Sequence, residues 1–190
     1  KTNYTNVILP NLDGAITVNM NYGDISAGDL GGKTNVRSNY GKVNLGKLED
    51  AILNANYGNI KVIEAKNVNA SLNYCAIDLG KLDDSAILKT NYSSGLKIGT
   101  LSKNFKSLNI HSNYSTINLG FEGSESFNFD VSTSYAGFKY DEAKTKVTFK
   151  TPIDEAKGWS STKQYKGFYG KASSDANIVI RASYGSVKFE

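Results

Sequence analysis

Apolar side chains fall at every second position through much of this chain, lose phase at a recurrent tyrosine, and then resume. Four residues before that tyrosine stand Val18, Val36, Leu53, Ala70, Leu88, Ile110, Val131 and Ile180, and six before it stand Ile16, Ala51, Val68, Leu108, Phe129 and Ile178. Period-two alternation predicts a strand with one buried face. Three and five residues after the tyrosine come Ile25 and Ala27, Val43 and Leu45, Ile60 and Val62, Ile77 and Leu79, Ile117 and Leu119. That is a second strand, with the opposite parity. A straight strand cannot change parity without turning a face outward, so a bend is expected between the two. It is placed just after the tyrosine, at Gly23, Gly41, Gly58 and Gly185, because glycine accepts positive φ. Cys75, Ser93, Ser115 and Ala136 occupy the same place in other copies, so the corner asks for a small residue.

The motif tyrosines are Tyr4, Tyr22, Tyr40, Tyr57, Tyr74, Tyr92, Tyr114 and Tyr135, spaced by 18, 18, 17, 17, 18, 22 and 21 residues, with a ninth copy at Tyr184. Asn3, Asn21, Asn39, Asn56, Asn73, Asn91 and Asn113 precede the first seven; serine precedes the last two. A repeat of 17–22 residues with two short strands is too small to bury its own apolar face and has to stack on its neighbours. The reading is an all-β chain, a β-solenoid of about eight or nine coils rising ~4.8 Å each. An antiparallel meander closed into a sandwich or barrel is the alternative. Stacked coils favour identical residues in equivalent places, which speaks for the solenoid. The asparagines and tyrosines would then form a corner ladder. A competing reading makes the tyrosines an exposed strip for sugars or proteins, but their parity with the buried positions favours the frame.

Repeated short strands, turns such as "NYGNIKV" and the closing "ANIVIRASYGSVKFE" resemble the bacterial adhesin-like β-solenoid families, which include head domains of autotransporter adhesins. The resemblance covers essentially the whole chain. It implies a flattened right-handed β-helix, secretion to the periplasm or cell surface, an adhesive role, and no catalytic residues. One domain is expected over residues 1–190, with regular coils over 1–140, an interrupting loop, hairpin or cap over 141–176, and final strands over 177–190.

Charge changes the picture only locally. Residues 139–171 carry eight lysines and four acids, giving +4, whereas the rest sums to zero. The segment has no arginine and its lysines alternate with acids, unlike a nucleic-acid stripe. No apolar run approaches the ~20 residues of a membrane span. A single cysteine, Cys75, excludes an internal disulfide. Residue 1 already lies inside the first repeat, so an upstream leader is expected to have been removed.

Candidate chemistry is sparse. His111 is the only histidine and is expected on the solvent side, without a nucleophile motif. Cys75 reads as a small corner residue. "LGKLED" and "LGKLDD" place Glu49-Asp50 and Asp83-Asp84 two coils, or about 10 Å, apart on one edge. That is wide for a shared cation, and Lys47 and Lys81 are nearby partners. No metal or cofactor is expected. Trp159, Tyr165, Phe168 and Tyr169, set among lysines in the interruption, are the candidate ligand-binding residues; an end cap competes with that role. The functional expectation is a non-enzymatic surface module binding a glycan or protein. A carbohydrate-active enzyme and a structural spacer are the alternatives.

Overall fold

Alternation and small corner residues give this chain strands and turns. A computed structural model describes residues 1–151 and 161–190. The candidate Trp159 lies outside them. Thirteen strands follow in order: β1 (Val7–Leu9), β2 (Ile16–Tyr22), β3 (Ile25–Ala27), β4 (Leu30–Asn91), β5 (Leu96–Leu101), β6 (Ser107–Asn113), β7 (Thr116–Leu119), β8 (Phe127–Ser134), β9 (Gly137–Lys139), β10 (Thr145–Thr151), β11 (Thr162–Tyr169), β12 (Asn177–Ser183) and β13 (Ser186–Phe189). The fold is all-β, a curled mixed sheet, with no helix among the described residues. It follows that none of those residues forms a helix long and apolar enough to cross a membrane.

Pairing among β1 to β7 is parallel, and its register is the sequence repeat. Val18 faces Val36 and Ile25 faces Val43; Leu88 faces Ile110 and Ile77 faces Leu96. The antiparallel meander therefore does not describe this stretch. β4 is 62 residues long, and a straight strand of that length would reach about 200 Å. Yet Tyr40, Tyr57 and Tyr74 within it stack ring on ring, 5.0 and 4.9 Å apart. Its backbone stays extended but folds back at each repeat. The equivalent apolar positions then coincide as one core, from Ile25 and Val36 through Leu53, Leu88 and Ile110 to Ile180 and Val187. A third buried row, Leu30, Leu48, Ala65, Leu82 and Leu101, belongs to the same core.

Order in space departs from order in the chain at one end. β12 lies between β6 and β8, and β13 between β7 and β9, all parallel. Beyond β8, β11 and then β10 continue the sheet antiparallel. The interior there is aromatic: Phe121, Phe127, Phe129, Phe138, Tyr169 and Phe189 pack with centroids 4.8–5.9 Å apart.

The corner corrects one expectation. Positive φ falls on glycine only at Gly23 (134°) and Gly41 (143°); in the other seven copies the tyrosine itself is left-handed, with φ between 49° and 57°. A non-glycine residue in that region costs roughly 1–2 kcal/mol, and ring stacking on both sides, about 0.5–1.5 kcal/mol per pair, offsets it. The small residue after the tyrosine is needed for closeness instead. A Cβ on Gly58 would sit 2.0 Å from the Gly41 carbonyl oxygen.

Candidate functional surface

Because the alternation ends at the corner, the rings do not continue into the buried row. Tyr22 through Tyr184 are 42–53% exposed, so sharing parity with the buried positions does not make the rings part of the core. They form an outer ladder in the order Tyr4, Tyr22, Tyr40, Tyr57, Tyr74, Tyr92, Tyr114, Tyr184, Tyr135, with centroids 4.7–5.2 Å apart and planes within 8°. Beside it runs an amide ladder. Asn21 Nδ2 donates to Asn3 Oδ1 (2.5 Å), Asn39 to Asn21 (2.7 Å), Asn56 to Asn39 (3.2 Å) and Asn73 to Asn56 (3.1 Å). Asn91 and Asn113 continue the row in register. Each inner ring has a neighbour on both faces, so sugars cannot stack there. What the ladder offers outward is ring edges and phenol hydroxyls.

A groove of about 600 Å³ lies along the Asn row at the later repeats. Two adjacent rows line it, two positions apart along the same strands: Asn73, Asn91, Asn113, Ser183 and Ser134 in one, and Ser71, Lys89, His111, Arg181 and Ser132 in the other. Outward residues of parallel strands stack like inward ones, so Lys89, His111 and Arg181 are register neighbours. Arg181 Nη1 donates to Asp130 Oδ1 (2.8 Å) and to the Asp130 carbonyl (3.0 Å), and Gln164 Nε2 donates to the same carboxylate (3.0 Å). Lys166 adds a third cationic or amide partner at 3.4 Å. Partial burial pushes the Asp130 carboxyl up, but the Gln164 and Arg181 hydrogen bonds and the Arg181 and Lys166 charges together hold it below its usual value. Lys89 and His111 are exposed. The groove is thus a row of amides, hydroxyls and cationic side chains on a rigid wall. It can hydrogen-bond a polar chain laid along it.

Of the aromatic residues expected to bind ligand, Tyr165, Phe168 and Tyr169 lie elsewhere. Tyr165 and Tyr169 are buried at 8% and 4% exposure, and Phe168 is half-buried. Tyr169 stacks on Phe127 at 5.0 Å and Tyr165 meets Phe138 edge-on at 5.3 Å. Burial and the nearby Glu125 and Asp141 charges raise the Tyr169 phenol above its usual range. These rings pack an end of the core rather than a binding loop, because β10 and β11 extend the sheet past β8. The acid pairs are engaged: Glu49 with Lys66 (2.8 Å), Asp50 with the Asn67 amide (2.9 Å), Asp83 with Lys81 (2.7 Å), and Asp84 with Lys106 (2.7 Å). Lys47 pairs with Glu64 (3.3 Å) rather than with Glu49 or Asp50. Among the described residues no three His, Cys, Asp or Glu converge as metal ligands. Cys75 is buried, which raises its thiol pKa and disfavours the thiolate.

Sequence reasoning missed the groove. Its cationic row needs Arg181 beside His111, 70 positions earlier in the chain. The available signal was alignment of "NIVIRASY" with "SLNIHSNY", which puts both residues three places before the tyrosine. No protein family, curated protein or solved structure matched the chain.

Proposed function

We propose that this chain is a non-enzymatic, adhesin-like module, a flattened right-handed β-solenoid with two strands per coil, secreted or held at a cell surface. It binds a glycan or a surface protein along the groove beside the tyrosine ladder. The observation that carries this reading is the continuous row of Asn73, Asn91, Asn113 and Ser183 amides and hydroxyls running beside the row of Lys89, His111 and Arg181. Such groups satisfy the many hydroxyls of a sugar chain or the polar backbone of a peptide. The parallel ladders beneath them fix their spacing, which limits the ordering cost of binding. Repeat register, i to i+17 through i+22, supports the coil geometry, as does the folding back of β4.

Arrays of glycans and matrix proteins test the reading, with the intact chain compared against Asn91→Ala/Asn113→Ala and Lys89→Ala. Capture of a glycan or protein that weakens at least tenfold in the double variant is expected. Absence of capture across both arrays, or steady cleavage of a polysaccharide, would overturn it. A spacer role is the second reading, favoured by one observation: the tyrosine faces are consumed by one another and the opposite edge is laced by Lys–acid pairs.

A further inference from the structure

β12 occupies a place that the chain leaves open and later fills. Having built β6 and β7, the chain skips one position, lays down β8 and β9, adds β10 and β11 outside them, and only then returns. Asn177–Ser183 makes seven register pairs with β6 and seven with β8. Ser186–Phe189 makes four with β7 and three with β9. Without this segment, two parallel edges would face each other across a gap one strand wide, ~10 Å between strand centres. Both edges would carry unpaired N–H and C=O groups, which is the condition that recruits a strand.

The gap is selective. Ile178, Ile180, Ala182, Val187 and Phe189 are each no more than 5% exposed in it. Its filler must therefore present small or aliphatic groups at alternate positions and an aromatic ring at the end of the second strand, an outward arginine for Asp130, and a corner between the two strands. The connector is residues 170–176, able to span about 25 Å when extended. Among the described residues, five bonds tie it to the rest of the chain, all of which must open for it to act as a hinge: Gly170 N–H to the Lys144 carbonyl (3.0 Å), Lys171 N–H to Ser126 Oγ (3.0 Å), Ser174 Oγ to the Ser126 carbonyl (2.5 Å), the Asn128 side-chain amide to the Ser174 carbonyl (2.7 Å) and the Asn128 N–H to the Ala176 carbonyl (2.8 Å).

We infer that this gap is a strand-docking site, and that its second occupant is the Asn177–Phe189 segment of another copy of this chain. Two copies exchange the segment reciprocally, each connector opening as a hinge, and every ladder bond of the single chain is re-formed across the pair. Such an interface is self-complementary and closes as a twofold dimer. Within one chain the segment is favoured by its high effective concentration, so exchange requires concentrated protein and a transient opening of β12.

The test uses the full chain and a lock. Ser183 and Asn113 are register partners on adjacent parallel strands, and the ~4.8 Å between such strands suits a disulfide. Asn113→Cys/Ser183→Cys, oxidised as the native monomer, ties the segment to its own gap. Each protein is held in urea just below its unfolding transition, concentrated, returned to buffer, and analysed by sedimentation. A dimer is expected from the wild-type chain and from the reduced variant, with at least a tenfold lower yield from the oxidised variant. Absence of dimer from the wild-type chain at every concentration overturns the proposal. So does an equal yield from the locked chain, since that dimer would form without strand exchange.

Discussion

Residues 16–119 and the described residues after 120 build the same kind of layer by different means. In the first stretch each repeat stacks on the one just before it, the interior is aliphatic, and Asn-Tyr marks every corner. In the second, the neighbour of β6 comes from some seventy residues further along, the interior is aromatic, and serine replaces asparagine. The tyrosine ladder nevertheless crosses the junction without a break: Tyr114 to Tyr184 is 4.7 Å and Tyr184 to Tyr135 is 5.1 Å. Layer geometry is therefore specified by parity and corner chemistry, and chain order is free to differ. The difference in order carries a kinetic consequence, since pairings of long sequence separation form later.

The strongest way to break the comparison is to empty each interior. Phe127 is fully buried between Phe121 and Tyr169, and Phe127→Ala should cost about 3–5 kcal/mol. Leu53 is equally buried among aliphatics, and Leu53→Ala should cost about 2–5 kcal/mol. Urea denaturation followed by both far-UV and tyrosine signals measures both. If the stretches form one cooperative unit, each variant moves a single transition; a second transition in Phe127→Ala alone would separate them.

Asp130 is the next lever, because it joins β8, β11 and β12 through Gln164 and Arg181. Asp130→Asn should remove about 1–2 kcal/mol, the scale of a partly exposed charge-assisted pair. Its carboxyl is held below the usual value, so the stabilisation is fully present above that value and is lost as pH falls through the lower folded one. The protection factors of β12 amides, corrected for intrinsic exchange at each pH, should therefore fall selectively in acid, with those of β4 changing less. An equal loss of protection throughout would show that Asp130 does not single out the inserted strand.

The smallest expected effect sharpens the corner. Tyr57→Ala removes two ring stacks but keeps the left-handed backbone cost, for a loss of about 1–2 kcal/mol. Tyr57→Gly removes the same stacks and relieves the backbone, so it should be the milder change by about 1 kcal/mol. At Tyr40, where Gly41 carries the positive φ, alanine should be no worse than glycine. Thermal unfolding of the four variants decides it.

The strand parity of residues 16–119 was legible because each apolar position recurs at nearly constant spacing, and the structure puts those positions in register. The corner was placed one residue late: Tyr57 and Tyr74 look too bulky for a left-handed turn until their stacking partners are known. Parity with the buried positions does not reveal that the rings stand half-exposed, because the alternation ends at the corner. Tyr165 and Tyr169 looked like a binding loop because nothing local shows that they follow β8 in space. The groove was hidden by the same inversion of order, since Arg181 and His111 share a row only after β12 is inserted.

Nine phenol chromophores, each within 5.2 Å of the next and with nearly parallel planes, are close enough for their transition dipoles to couple. The outer edge of this protein therefore absorbs ultraviolet light as one delocalised array, and its near-ultraviolet dichroism is a built-in gauge of whether every layer is seated.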